Sequence, residues 1–177
     1  EPIYNELGEN SVLITPHRFE GKLKEKEIYG LYNVSFQMFS KDEVGLACLQ
    51  QWKLQCIDWC LDKMEDGKFA DQLYLNTWQN QFKKVKVLEH IGAGLAPWNI
   101  GNYNISSENG VVMVNNIQLI FYHFHGLKFL SKNLVLHGLD PYKFKMTKVV
   151  LDSIFKPYIL ALLHNSTQKT FSVHLRK

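Results

Sequence analysis

Long apolar runs are missing from this chain of 177 residues. No stretch approaches the roughly 18 apolar residues that a membrane-crossing helix needs. No charged-then-apolar leader opens it, so no secretory signal is read. Cysteine is scarce: Cys48, Cys56 and Cys60 are the three present. All three fall in one predicted helix, where two thiols seldom meet disulfide geometry, and a thiolate metal site would lack its fourth ligand. They read as reduced, small apolar side chains in a cytoplasmic protein. Charge of one sign is scarce too. Twenty Lys and Arg against 17 Asp and Glu give +3, without the dense basic cluster of a nucleic-acid binder. The run Lys22–Glu27 mixes both signs and reads as a solvated turn. Glycine-rich phosphate loops, G-x-S-x-G elbows and H-E-x-x-H helices are absent, as is any Asp-x-Asp pair.

What is present is an ordinary globular composition, 46% hydrophobic and 21% charged, in a chain long enough for one domain. The chain opens at Glu1 within an organised segment, EPIYNEL, and reads as a piece of a longer protein. Ser11–Thr15 and Gly30–Phe39 are β-rich, with a polar loop between them. A helix is predicted from Ser40, a capping hydroxyl with Asp42-Glu43 as acids in the first turn, to Met64, with Leu49, Trp52, Cys56, Trp59 and Cys60 on one face. A second helix is predicted over Phe69–Phe82, with Leu75 and Trp78 inward, then a short strand at Val85–Leu88. Ile91–Asn102 reads as a shaped loop. Val111–Val114 and Ile117–Phe124, joined by Asn115-Asn116, read as a β-hairpin. Lys128–Phe144 shows no period. Met146–His164 reads as a helix interrupted by Pro157, followed by a frayed polar tail. The class is α/β, with a mixed sheet flanked by helices.

Three segments could carry chemistry. In His123-Phe124-His125-Gly126 the imidazoles are two residues apart, which on a strand turns both to one face. They could address one ion or phosphate, or be ordinary surface histidines. In Glu65–Gln72 a glycine turn precedes Asp71 and Gln72, either a simple helix cap or the lip of a cleft. In Ala93–Asn99 the Gly/Pro-shaped loop carries Trp98, a stacking platform for a sugar or a plug for the core.

Taken in order, TPH (Thr15–His17), YNVSFQMF (Tyr32–Phe39), WKLQCIDWC (Trp52–Cys60), DGKFADQLYLNTW (Asp66–Trp78), LAPWNI (Leu95–Ile100) and FYHFHGLKF (Phe121–Phe129) resemble the C-terminal half of a GT-A-type glycosyltransferase. The likeness is to the family-eight-like nucleotide-sugar transferases and covers about residues 1–129. It implies transfer of a sugar from a nucleotide-sugar donor to a glycan, lipid-linked or protein acceptor, assisted by manganese or magnesium. His123 matches the metal-binding histidine. Asp71 and Gln72 match the catalytic pair beside the donor sugar. His17, Asn33, His125 and Lys128 fall at donor-side positions, and Trp98 and Asn99 on the acceptor side. The family's Asp-x-Asp half lies outside this chain, and its H-x-x-G-x-x-K-P-W ending is kept only as His123-x-x-Gly126, with Lys128 displaced. Residues 1–177 would form the acceptor- and metal-binding half, with residues 145–177 as C-terminal helix and tail. The protein would be cytoplasmic or at the membrane periphery, without nucleic acid as a partner. Two other readings stand beside this one. One is a metal-dependent hydrolase using His123 and His125, with His90 or His137 as third ligand. The other is a carbohydrate-binding module using Trp98 and Phe121–Phe124.

Overall fold

β1 (Val12–Pro16) anchors the N-terminal half because it is covered on both faces. In the computed structural model, which describes residues 2–131 and 134–168, Val12, Leu13, Ile14 and Thr15 are all fully buried. Such a continuous apolar run suits a central strand. It follows the short helix α1 (Pro2–Leu7). β2 (Tyr32–Phe39) pairs with it antiparallel on one side, and β3 (Val85–Val87) pairs parallel on the other. Helix α2 (Glu43–Asp58) packs on this sheet. Asp42, rather than the expected Ser40, caps it by accepting from the Gly45 amide at 2.8 Å, and Ser11 Oγ donates to the same carboxylate; the Ser40 hydroxyl donates to the Asn10 carbonyl at 3.0 Å. Cys48, Trp52, Leu75 and Trp78 close the core beneath.

The helices of this half are shorter than their sequences suggest. α2 stops at Asp58 rather than Met64, because Trp59 turns extended and the Tyr74 hydroxyl takes the carbonyls of Gln55 and Trp59. Cys60 therefore lies beyond the helix. All three thiols are free, with Cys48 buried and Cys60 exposed. Leu49, expected inward, is 40% exposed. Phe69–Phe82 is not one helix. Asp66 and Gly67 both take positive φ in a tight turn closed by Glu65 and Lys68. The chain then runs through a 3-10 helix (Leu73–Thr77) into the short α3 (Trp78–Gln81). Leu75 and Trp78 still point inward, since an offset of three serves either helix. The segment before Gly30 is likewise a 3-10 helix, Gly21–Tyr29.

The single mixed sheet resolves into several small ones. β4 (Ala93–Leu95) and β8 (Phe121–Tyr122) form a parallel pair. β5 (Ile105–Glu108), β6 (Val111–Val114) and β7 (Ile117–Gln118) form an antiparallel meander. The Asn115-Asn116 turn is as expected, with both residues at positive φ and Val114 opposite Ile117. The strand after it does not run on to Phe124. At Gly92 a Cβ would sit 2.0 Å from the Gln118 carbonyl. The bare glycine lets the chain cross there, leave β6 and join β4. From the end of β3 to the start of β4 the carbonyls of Leu88, His90 and Ala93 accept from the Arg18 guanidinium, and the two strands lie in separate sheets.

Residues 128–144, without a period in the sequence, contain the hairpin of β9 (Lys128–Ser131) and β10 (Leu134–Leu136) and a 3-10 turn at Asp140–Tyr142. The C-terminal helix is continuous through Pro157: α4 (Lys148–Val150), a π-helical turn (Leu151–Phe155) and α5 (Lys156–Gln168). Pro157 has no amide for the Ser153 carbonyl and would crowd it in an α-helix; the widened turn absorbs both effects. Val150, Ile154 and Phe155 bury against Leu95, Ile100, Val114 and Tyr122. The polar tail expected beyond the helix lies, from residue 169 on, outside the described residues.

Gly126 and Gly138 meet back to back, both at φ +75. A Cβ on Gly138 would stand 2.3 Å from the His125 carbonyl oxygen, whereas one on Gly110 (φ +81) would meet nothing within 4 Å. Gly110→Ala should therefore cost about 1–2 kcal/mol, the left-handed penalty alone. Gly138→Ala should cost roughly 3 kcal/mol or more through the added overlap. Urea midpoints at unchanged slope measure both.

Candidate functional site

Three strands end at one place. β1 runs out into His17, β4 into the Ala96–Asn99 turn, and β8 into His123. Around these ends lies a cavity of about 510 Å³ whose wall includes His17, Asn33, Gln72, Trp98, His123 and His125. The carboxyl ends of strands are where open α/β sheets bind ligands.

A bulge in β2 shapes one wall. Ile14 pairs with Gln37, yet the next residue, Thr15, pairs with Asn33, so residues 34–36 loop out of the ladder. Asn33 holds the bulge. Its side-chain oxygen accepts from the amide (3.0 Å) and hydroxyl of Ser35, and its amide nitrogen donates to the Pro16 carbonyl at 3.2 Å. Thr15 Oγ1 donates to the Phe36 carbonyl at 2.5 Å. Val34 and Ser35 thereby join the cavity wall, the re-aiming that bulges provide beside sites.

Trp98 is the hub. Its ring centroid lies 5.2 Å from His17, 5.3 Å from His123, 5.4 Å from His125 and 5.9 Å from Tyr142. His17 stacks on Phe19 at 4.6 Å, and the centroids of His123 and His125 are 5.8 Å apart. Asn99 fixes the Trp98 turn from below. Its side-chain oxygen accepts from the Ala96 amide, and its nitrogen donates to the carbonyls of His17 and Gly94, all at 2.9–3.0 Å. The His123 amide donates to the Leu95 carbonyl at 2.7 Å.

The cavity disfavours positive charge on His17 and His123. Burial pushes the His17 imidazole down to about 4, with His123 and His125 adding repulsion. Its Nδ1, like the Trp98 indole nitrogen, is buried without a hydrogen-bond partner. His123 is also held below its ordinary value, first by burial and then by His125. Burial raises Tyr142. A neutral His123 can donate a nitrogen lone pair to a metal. Among the described residues no group of three His, Cys, Asp or Glu side chains is placed to hold an ion. The imidazoles therefore fit manganese or magnesium only as part of a shared ligand set.

Six expected site residues thus meet in one cavity. Asp71 does not line it: its carbonyl accepts from Trp52 Nε1 at 2.8 Å, and its charge acts on Cys56. Gln72 does line it, with its amide donating to the Tyr29 carbonyl at 2.9 Å. Asn99 is fully buried beneath the loop rather than exposed on it. Lys128 begins β9, exposed and outside the cavity. Neither His90 nor His137 lines it. His137 Nδ1 accepts from the Leu139 amide instead.

Phe19, Lys26, Tyr29, Phe69, Asp62 and Tyr142 also line the cavity and were not anticipated. Lys26 belongs to the run read as solvated. A three-residue period was the available signal, because Lys26 and Tyr29 eclipse on a 3-10 helix. Tyr142 had no local signal. It arrives through the Gly126–Gly138 contact.

No protein-family model matches the chain, and no solved structure matches it. The Bacillus subtilis (strain 168) protein YfnD, itself uncharacterized, is 31% identical over 163 residues, covering 90% of this chain and 52% of YfnD. The uncharacterized YfnF of the same strain is 33% identical over 140 residues, covering 75% of this chain and 46% of YfnF. The chain spans about half the length of these curated relatives.

Because His17 titrates near 4 when folded and near 6.5 when unfolded, the unfolded chain binds more protons between those values. Stability should fall by up to about 3 kcal/mol as pH drops from 6.5 to 4. In His17→Phe that loss should be missing. Urea midpoints across the range and the His17 ring resonances in NMR measure it. A midpoint near 6.5 would refute the buried neutral imidazole.

Proposed function

We propose that this chain carries the donor-sugar and acceptor side of a metal-assisted glycosyltransferase that uses a nucleotide-sugar. The observation that carries the reading is the convergence of His17, Asn33, Gln72, Trp98, His123 and His125 on one cavity at three strand ends. These residues are scattered over more than a hundred positions of sequence, and a GT-A-like site would need them together.

Trp98 and Tyr142 offer flat apolar faces for a sugar ring or a base. Gln72 and the Asn33–Ser35 bulge supply amide and hydroxyl groups for sugar hydroxyls. His123 and His125 stand on one wall, where His123 would be a metal ligand and His125 would meet the diphosphate oxygens. A bound divalent cation would supply positive charge to the departing nucleotide diphosphate. The aromatic wall keeps water away from that exchange and strengthens every charge interaction within it. Asp71 is not among the lining residues, so of the pair implied by the resemblance Gln72 is the one on the cavity side.

A second reading, a carbohydrate-binding module without catalysis, draws support from the wall itself. It is rich in aromatic side chains, and Asp62 is its one carboxylate among the described lining residues.

Titration of a nucleotide-sugar panel into the chain, with and without manganese, separates the two. The transferase reading expects manganese-dependent binding that weakens at least about tenfold in His123→Ala, while Trp98→Ala weakens binding with or without metal. Glycan binding indifferent to manganese and to His123 would favour the module. Tight zinc with no response to nucleotide sugars would overturn both.

A further inference from the structure

The early end of α2 brings together two thiols that a longer helix would hold apart. On a continuous helix, Cβ atoms four residues apart stand about 5–6 Å from each other, wider than the roughly 3.5–4.5 Å that a disulfide spans. Cys56 lies in the last turn of α2, but the backbone turns extended at Trp59, which frees Cys60 from the helical spacing. The Cys56 and Cys60 side chains hydrogen-bond to each other. The corner between them is braced: the Tyr74 hydroxyl bonds the carbonyls of Gln55 and Trp59 at 3.3 and 2.8 Å, and Trp59 Nε1 donates to Glu65 at 3.1 Å.

The third thiol is set apart. Cys48 is fully buried in the core with Leu75 and Trp78, and burial pushes it up to about 12. Cys56 is half-buried and Cys60 exposed. Burial, followed by Cys60 and Asp71, pushes the Cys56 thiol up to about 11. The pair therefore has one sulfur that solvent reaches and a second in contact with it, as an attacking thiol and its resolving partner require. For a tetrahedral zinc site it is two ligands short, and among the described residues no three His, Cys, Asp or Glu side chains are placed to hold an ion.

We propose that Cys56 and Cys60 form a reversible intrachain disulfide by exchange with a small-molecule disulfide of the glutathione type. The Cys60 thiolate attacks one glutathione sulfur, the glutathione S–S bond breaks, and one glutathione leaves as its thiolate. The Cys56 thiolate then attacks the Cys60 sulfur and expels the second glutathione. Two protein thiols are oxidised, one glutathione disulfide is reduced to two thiols, and the protons released by the cysteines go to the departing sulfurs. Once the mixed disulfide has formed, a Cys60 thiolate no longer opposes ionisation of Cys56, which eases the second step. The cross-link fastens the corner from which the chain runs to Asp62, Phe69 and Gln72 on the cavity wall. The proposal stands independently of the transferase reading.

Incubation of the 177-residue chain with oxidised glutathione, followed by denaturing alkylation and tryptic mass mapping, tests it. Residues 54–63 form one tryptic peptide that carries both cysteines. That peptide should escape alkylation and become two hydrogen atoms lighter, while Cys48 is still alkylated; dithiothreitol should restore both thiols. In Cys56→Ser a glutathione adduct on Cys60 should persist. In Cys60→Ser consumption of glutathione disulfide should slow at least about tenfold, because the remaining thiols are buried or half-buried. The map of the parent chain carries the test should either variant fail to fold by circular dichroism. A lasting glutathione adduct on the parent, a disulfide through Cys48, a disulfide-linked dimer, or a 54–63 peptide that stays fully alkylated would each overturn the proposal. So would a folded Cys60→Ser chain that reacts as fast as the parent.

Discussion

The Arg18 guanidinium ties the two halves of the molecule together. It follows β1, takes φ 56, and donates to the carbonyls of Ala93, Leu88 and His90 at 2.7, 2.9 and 3.3 Å. Its own carbonyl accepts from Asn102 at 2.9 Å. The Leu88 and His90 carbonyls lie in the turn between β3 and β4 and the Ala93 carbonyl opens β4, so one side chain braces that connection from end to end. Burial lowers the Arg18 pKa from its ordinary value, with Tyr103 and Glu6 pulling the other way. An arginine stays charged through such a shift. While Arg18 serves that turn, its neighbours His17 and Phe19 are left to the cavity, stacked on one another.

From that tie follows the character of the cavity. Asn99 reads the His17 carbonyl and holds the turn that presents Trp98, so the strand-end histidine and the indole are positioned by one amide. His123 is set from the other side by its amide bond to Leu95. The result is an aromatic pocket in which His17 and His123 are pressed toward neutrality, first by burial and then by neighbouring imidazoles.

Local signals in the sequence were good where the interaction is local. The Asn115-Asn116 turn and the inward Leu75 and Trp78 follow from turn chemistry and spacing, whereas the cap of α2 fell on Asp42 instead of the expected Ser40. Legibility failed where a distant group intervened. Tyr74 ends α2 early, Gly92 lets the second hairpin strand cross to β4, and the π-helical turn carries the helix through Pro157. Among site residues, Trp98, His123 and His125 stood out because imidazoles and indoles on strand ends or shaped loops are rare and chemically capable, and His17 entered through the resemblance. Asp71 was named for its glycine turn and Asn99 through the resemblance; Asp71 does not line the cavity, and the Asn99 amide is engaged by backbone groups.

The sequence by itself determined the α/β mixture, the positions of the main turns and the short list of side chains able to do chemistry, because backbone propensity and side-chain identity act within a few residues. The tertiary structure alone decided which of those side chains share a cavity, which are spent on backbone carbonyls, and that aromatic residues as far apart as Phe19 and Tyr142 form one wall. Those outcomes rest on contacts between segments many tens of residues apart, whose loop-closure entropy and packing no local pattern records.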